Sequence, residues 1–274
     1  MFSADRIELK TDDQIRSMRR SGLVVAEIHR ALREAVRPGM TTGELDQVAA
    51  SVLADHGATS NFLGYYGFTG NTCISPNEVI VHGVPGQRVI EPGDIVSFDC
   101  GAVLDGWHAD ACTTIVLDGG SDEDRRLSEI TETAMWHGIA ALARAKRIGE
   151  VGAAIEDYLE TFDLESRPGL VREFIGHGIG SEMHMDPDVL NFRGPKGARV
   201  KPGLVVCIEP LLTNGSPANE TLADDWTVVT KDGSHACHWE HMVAVHSRGI
   251  WVLTAPDGGV RGLEPFGITP VPLD

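Results

Sequence analysis

Positive charge is in short supply in this sequence: 23 lysines and arginines stand against 40 aspartates and glutamates, a net charge of −17. Phosphate backbones are held by clustered Lys and Arg, so a nucleic acid is not the expected substrate. Long apolar runs are missing too. No stretch approaches the ~18 uninterrupted apolar residues of a membrane span, and no membrane partner is expected. The opening segment, MFSADRIELKTDDQIRSMRR, lacks the apolar centre of a secretory signal, which points to a cytoplasmic protein. The five cysteines show no C-x-x-C spacing. That argues against a disulfide framework and casts them as small buried apolar residues. Neither G-x-x-x-x-G-K-[ST] nor G-x-S-x-G occurs, so a phosphate cradle and a serine nucleophile are both unsupported.

What is present is an ordinary globular composition, 42% hydrophobic and 23% charged, with a pattern that repeats. Helical spacing runs over 11–36, with Leu23, Ile28, Leu32 and Val36 on one stripe. It runs again over 43–56, with Leu45, Val48, Ala49, Val52 and Leu53. A glycine- and aromatic-rich stretch, NFLGYYGFTGNTC, follows. Strand-like runs come next: EVIVHGV, DIVSFDCGAVL and WHADACTTIVL. Helical spacing then returns over 124–146 and 150–162, succeeded by VREFIGHGIG, LVVCIEPLL, WTVVT, HMVAVH and GIWVLT. The segment Glu91-Pro-Gly-Asp-Ile-Val-Ser-Phe-Asp99 aligns with Lys201-Pro-Gly-Leu-Val-Val-Cys-Ile-Glu209. In both, a Pro-Gly turn leads into a strand ending on an acid. Two related α/β halves packed as one domain are expected, which would bring the two acids together.

Asp99 and Asp110 flank Leu104-Asp105-Gly106. A two-residue Asp-Gly hairpin loop puts both on one sheet face, whereas a three-residue loop would separate them. Close carboxylates repel unless a cation cancels their charge. His177 sits among glycines in FIGHGIG, a setting that allows close backbone approach. Glu209 ends an apolar strand, where an acid is costly unless paired or metal-bound. Glu240 lies in CHWEHM, which is not the H-E-x-x-H of a zinc helix. Alternation along a strand turns His238 and Glu240 to one face and His241 to the other. Four carboxylates and one imidazole suit two Mn²⁺, Fe²⁺, Co²⁺ or Zn²⁺ ions and a hydrolytic site that clamps a tetrahedral intermediate. Cys112 and Cys207 share strand parity with Asp110 and Glu209 and stand nearby. His82 and His184 follow glycine-rich or acidic turns, and each is placed to donate a hydrogen bond or pass a proton.

Taken in order within VHGVP, SFDCGAVLDGWHADACTT, FIGHGIG, CIEP and WEH, the set Asp99, Asp110, His177, Glu209, Glu240 resembles the dinuclear metal site of the methionine aminopeptidases. The likeness runs from about residue 10 to about residue 255. It implies the α/β (α+β) pita-bread fold, an internally duplicated, curved antiparallel sheet with helices on its outer face. Residues 1–274 would then be one catalytic domain of two pseudo-two-fold halves, about 10–120 and 121–255, with a short C-terminal tail. It implies two divalent ions (Co, Mn, Fe, Zn or Ni) and a bridging hydroxide that removes the N-terminal methionine of nascent proteins and peptides. Asp99 would chelate one ion, Asp110 and Glu240 would bridge both, and His177 and Glu209 would bind the other. Glu209 would also move protons, and His82 and His184 would face the scissile amide. Tyr65, Phe68, Cys73, Met183 and Trp226 match the methionine pocket. A monomer is expected, with room for a transient ribosome contact. The 31 positions from Glu209 to Glu240 leave no space for the type II helical insertion, so the likeness is to type I. Phe62, Met183, the Met185-Asp186-Pro187 segment and Met242 depart from common family residues.

Two other classes compete. One is a binding protein on the same fold that has lost its metals, which would show substituted ligands. The other is a relative acting on Xaa-Pro peptides or as a creatinase-type amidinohydrolase, which preference for an Ala-Pro peptide over Met-Ala-Ser would reveal.

Overall fold

A computed structural model describes residues 7–273, so the first six residues of the opening segment lie outside the described part. The chain begins with two helices, α1 (Asp12–Ala35) and α2 (Thr42–Asp55). Each opens on a reciprocal cap: Thr11 with Gln14, and Thr41 with Glu44, satisfy otherwise orphaned amides. Five strands follow: β1 (Thr59–Ser60), β2 (Thr72–Pro76), β3 (Val79–Val81), β4 (Ile95–Leu104) and β5 (Trp107–Val116). Helices α3 (Asp122–Leu142) and α4 (Gly149–Leu159) then return. After them come β6 (Gly169–Leu170), β7 (Gly176–Gly178), β8 (Met185–Val189), β9 (Leu204–Ile208) and β10 (Leu211–Thr213). The last strands are β11 (Asn219–Thr221), β12 (Val228–Thr230), β13 (Ala236–His238), β14 (His241–His246) and β15 (Gly249–Val252), with a short α5 (Val260–Leu263) in the tail.

Every ladder among the described residues is antiparallel. Strand β4 carries β5 on one edge and β1 and β2 along the other, and a five-stranded sheet runs β15-β14-β9-β7-β8. An isolated bridge between Cys112 and Glu240 ties these two sheets together. Helix α1 packs its Ile15, Met18, Val25, Ile28 and Leu32 face against Val96, Phe98 and Cys100 of β4. Because side chains alternate along a strand, Asp99 points away from that helix. Helices α3 and α4 pack against Val206, Ile208 and Val243.

The local chemistry of the first helix pair recurs in the second. The Thr41 amide donates to Glu44 Oε2 at 2.8 Å, and the Arg147 amide to Glu150 Oε1 at 2.9 Å. Ile90 N donates to Met40 O at 2.8 Å, as Val200 N does to Lys146 O at 3.1 Å. Gly93 and Gly203, each after a proline, take φ of +88° and +95°, the left-handed region that glycine enters without cost.

Some expected details differ. Leu23 is 43% exposed rather than on the buried stripe. The inner face of α1 is set by Gly22, where a Cβ would stand 2.2 Å from Leu253 O, and Leu23 is turned ~100° away from it by helical geometry. Only Gly176–Gly178 of VREFIGHGIG is strand. Helices expected over 124–146 and 150–162 begin and end one to four residues earlier, at 122–142 and 149–159. Strand β2 emerges from the end of NFLGYYGFTGNTC, held by Asp46, whose carboxylate accepts from Asn71 N, Thr72 N and Thr72 Oγ1. All five cysteines are free and buried.

Candidate functional site

The hairpin β4–β5 turns on Asp105 and Gly106, with φ of +51° and +79°. These values suit the two-residue loop that follows the natural strand twist. Leu104 therefore faces Trp107, Gly101 faces Asp110 and Asp99 faces Cys112. Asp99 and Asp110 are diagonal neighbours on one face. The Cys112–Glu240 bridge, with Glu240 N donating to Cys112 O at 3.0 Å, delivers Glu240 to the same place. Glu240 falls between β13 and β14 rather than within a continuous strand. His238 nonetheless shares its side, with Nε2 3.9 Å from Glu209 Oε2. His241 turns the other way, to Thr254 Oγ1 at 2.8 Å.

His177 enters from β7. The glycines beside it are demanded by backbone crowding: a Cβ at Gly176 would lie 2.3 Å from Cys207 O, and one at Gly178 2.2 Å from Asp186 O. Its Nδ1 bonds Gly178 O at 3.0 Å, which assigns the proton to Nδ1 and leaves a lone pair on Nε2. That lone pair looks across 3.5 Å at Glu209 Oε1, itself an acceptor. Two facing acceptors are satisfied by a cation or proton between them.

Oxygens Asp99 Oδ1, Asp110 Oδ1, Glu209 Oε1 and Glu240 Oε1 are buried without a partner among the described residues. Such groups each carry a desolvation penalty of about 1–3 kcal/mol or more when charged. Burial raises the Asp99 carboxyl to about 7. Burial, reinforced by repulsion from neighbouring carboxylates, drives Asp110, Glu209 and Glu240 well above their usual range. Ligand atoms of Asp99, Asp110 and Glu240 lie within 4.8 Å of one another, as do those of His177, Cys207 and Glu240. Burial and the same acids push the Cys207 thiol well up, so it stays protonated beside Glu240. The Cys112 thiol donates instead to His238 O at 3.4 Å. The donor set is rich in oxygen with one free imidazole nitrogen, and it fits divalent cations of the manganese-to-zinc group.

These acids and His177 form the floor of a cavity of about 300 Å³, at the small end of ligand pockets. Its wall holds Tyr65, Phe68, Cys73, Met183 and Trp226. Phe68 packs edge-on to Trp226 at 5.2 Å. Phe62, Phe68, Cys73 and Met183 form a buried cluster separate from the two main cores, which marks them as lining rather than core filling. Trp226 is presented by a turn in which Asp224 accepts from the amides of Trp226 and Thr227 at 3.0 and 2.8 Å.

His82 and His184 also line the cavity. His82 holds φ of +58°, with its ring 6.0 Å from Trp226, and burial lowers its pKa to about 4. His184 is exposed; its Nδ1 meets the Tyr65 hydroxyl at 2.9 Å and its ring lies 4.4 Å from that of His177. Tyr66 and Val81 also line the cavity and carried no signal of their own. Val81 is adjacent to His82, and Tyr66 stands out only in the structure, 86% exposed with φ of +44°. His238 was visible in CHWEHM but had no role.

Residues 16–247 match the sequence model of Metallopeptidase family M24. The chain is 42% identical to "Methionine aminopeptidase 1" of Bacillus subtilis over 246 residues, covering 89% of this chain and 98% of that protein. It is 45% identical over 245 residues to "Methionine aminopeptidase 1" of Mycobacterium tuberculosis, covering 88% and 92%. The fold is similar to the crystal structure of methionine aminopeptidase from Rickettsia prowazekii, with a TM-score of 0.86, 31% identity, and coverage of 91% of this chain and 100% of that one.

Proposed function

The chain belongs to metallopeptidase family M24, and from that premise we propose that it is a metal-dependent aminopeptidase that removes methionine from the N-terminus of polypeptides. The observation that carries this reading is the meeting of Asp99, Asp110, His177, Glu209 and Glu240 on the floor of one cavity whose wall is aromatic and sulfur-bearing. Aromatic rings and a thiol suit a flexible thioether, which gains from sulfur–ring contact.

Asp99, Asp110, His177, Glu209 and Glu240 would hold two divalent cations. Bound there, the cations supply Lewis acidity and make a water nucleophilic at neutral pH. The protein does the remaining work. The cavity takes the methionine side chain against its aromatic and sulfur-bearing wall, which orients the first peptide bond over the floor. Water adds to the carbonyl carbon, the C–N bond breaks, and Glu209 moves the water's proton to the departing amine. His82 and His184 donate hydrogen bonds to the scissile amide and to the oxygen that gains charge. The Tyr65 hydroxyl holds His184 by Nδ1 and so frees Nε2 for this task. The recurrence of capping and Pro-Gly chemistry supports two related halves with the cations between them. Free N-terminal methionine arises where chains are made, so we assign the activity to the cytoplasm, to a monomer in passing contact with the ribosome.

The test is turnover of Met-Ala-Ser by the purified full chain with Mn²⁺, Co²⁺, Fe²⁺, Zn²⁺ or Ni²⁺, handled without oxygen, beside metal analysis. Release of free methionine with about two ions per chain is expected. No product with any ion, or clear preference for an Ala-Pro peptide, overturns the reading.

A further inference from the structure

Glu209 lies between two imidazoles, and only one of them belongs to the ligand set above. His177 Nε2 is 3.5 Å from Oε1, and His238 Nε2 is 3.9 Å from Oε2. His238 is 2% exposed, and its Nε2 has no partner among the described residues. Its main chain is fixed from several elements. The amide donates to Ser97 Oγ at 3.2 Å, and the carbonyl accepts from Thr114 Oγ1 at 2.7 Å and Cys112 Sγ at 3.4 Å. In the ladder the residue faces Leu211. The acid nearest its Nε2 is Glu209, and His82 is the imidazole that also faces it. With cations bound Glu209 is ionised; a lone pair on Nε2 would then repel the carboxylate oxygen, whereas an Nε2–H would attract it. In a low-dielectric setting that difference is large, and it selects the tautomer with the proton on Nε2.

We propose that His238 is a positioning residue for Glu209: its neutral Nε2–H holds Oε2 by a hydrogen bond, leaving Oε1 to face a cation together with His177. The separation of 3.9 Å exceeds hydrogen-bond length, about 3.2 Å. Catalytic hydrogen bonds are often long before a site fills and tighten once it does, and the proposal requires that here. The two imidazoles thus give the two oxygens of one carboxylate different work. Oε1 is paired with a lone-pair donor, so a cation belongs there. Oε2 is held away from that cation, remains basic, and is the oxygen that takes the water's proton. This inference rests on the aminopeptidase reading for the proton's destination; the geometry of His238 can be tested without it.

Two measurements on the full chain decide it. The first is ¹⁵N NMR of histidine-labelled protein loaded with Zn²⁺, with the signal assigned by its loss in His238→Gln. Nε2 of His238 is expected in the protonated, pyrrole-type range and Nδ1 in the pyridine-type range; the reverse overturns the proposal. The second compares His238→Gln with His238→Asn, both polar replacements of similar bulk. The amide nitrogen of Gln reaches the place of Nε2, and that of Asn the place of Nδ1. The Gln variant should keep kcat near that of the parent. The Asn variant should lose about tenfold to a hundredfold in kcat, with KM and bound metal unchanged. Equal kcat in the two variants, or loss of bound metal in both, overturns the proposal. If the parent chain fails to cleave Met-Ala-Ser, the aminopeptidase reading falls, and the NMR tautomer alone settles what His238 does.

Discussion

Removing divalent cations should make the stability of this protein fall as pH rises through neutrality, and restoring them should cancel that fall. In the folded chain burial raises Asp99 to about 7 and raises Asp110, Glu209 and Glu240 well above the ordinary carboxyl range. In the unfolded chain the same groups titrate near pH 4. A carboxyl with a raised folded pKa binds more protons folded than unfolded, so ν_U − ν_N is negative and stability declines with pH. The decline begins near pH 4 and ends only above the folded values. With cations bound, the acids are ionised in the folded state and this contribution is flat near neutrality. Buried histidines such as His29 and His241, held down to about 3 and about 4 by burial, enter both forms alike. They cancel in the difference between cation-loaded and stripped protein. That difference should widen by about 1.4 kcal/mol per pH unit for each proton retained. For a chain of this size, one proton corresponds to about 3 °C in Tm. Hundredfold excess of cation over its Kd adds a base shift of about 2.7 kcal/mol. Scanning calorimetry of chelator-treated protein with and without Mn²⁺ at pH 6.5, 7.0 and 7.5 measures it. A gap that is absent, or identical at the three pH values, would refute the claim that these acids are protonated when empty and form a cation cage.

Other outcomes follow from single contacts. Asp110→Ala should lower turnover of Met-Ala-Ser by at least about 10²-fold, while leaving the Tm of stripped protein unchanged or higher, since a buried repelling acid is gone; near-normal turnover removes Asp110 from the site. Tyr65→Phe deletes the 2.9 Å bond to His184 and should cost about 1 kcal/mol, or roughly fivefold in kcat/KM, a loss that steady-state kinetics would detect. Gly178→Ala puts a Cβ 2.2 Å from Asp186 O and should destabilise by about 1–3 kcal/mol while displacing His177; an unchanged urea midpoint with full activity would contradict the close-approach argument.

How much of this was legible in the sequence depended on whether a residue's neighbours were local. Asp99 and Asp110 could be placed on one face because Asp105-Gly106 sets the hairpin register, and register needs only the turn and the alternation. The helix pairs were legible from periodicity and capping residues, since these lie within a few positions of one another. Leu23 was misread because nothing in α1 says that Gly22 must meet the carbonyl of Leu253, more than two hundred positions away. Strand β2 was hidden for a similar reason. Its polar Thr72 and Ser75 look like loop residues until Asp46 and Gly83 are seen to satisfy them. Tyr66 and Val81 reach the cavity through the path of the chain, which periodicity does not encode.

The segment around Glu240 shows the same divide within four residues. Alternation correctly turned His238 and Glu240 one way and His241 the other, yet it described a strand that the structure interrupts between them. The interruption has a physical reason. The backbone of Glu240 leaves the β13 ladder with β10 to pair with Cys112 of β5, and β14 then resumes pairing with β9. One residue thus ties the β4–β5 hairpin to the strands that follow α4, and its carboxylate is delivered beside Asp110 by a backbone contact rather than by a flexible side chain. His238, still held by β10, stays behind Glu209. The break lets His238 stay with β10 beside Glu209 while Glu240, two positions on, pairs with Cys112 and is carried to Asp110.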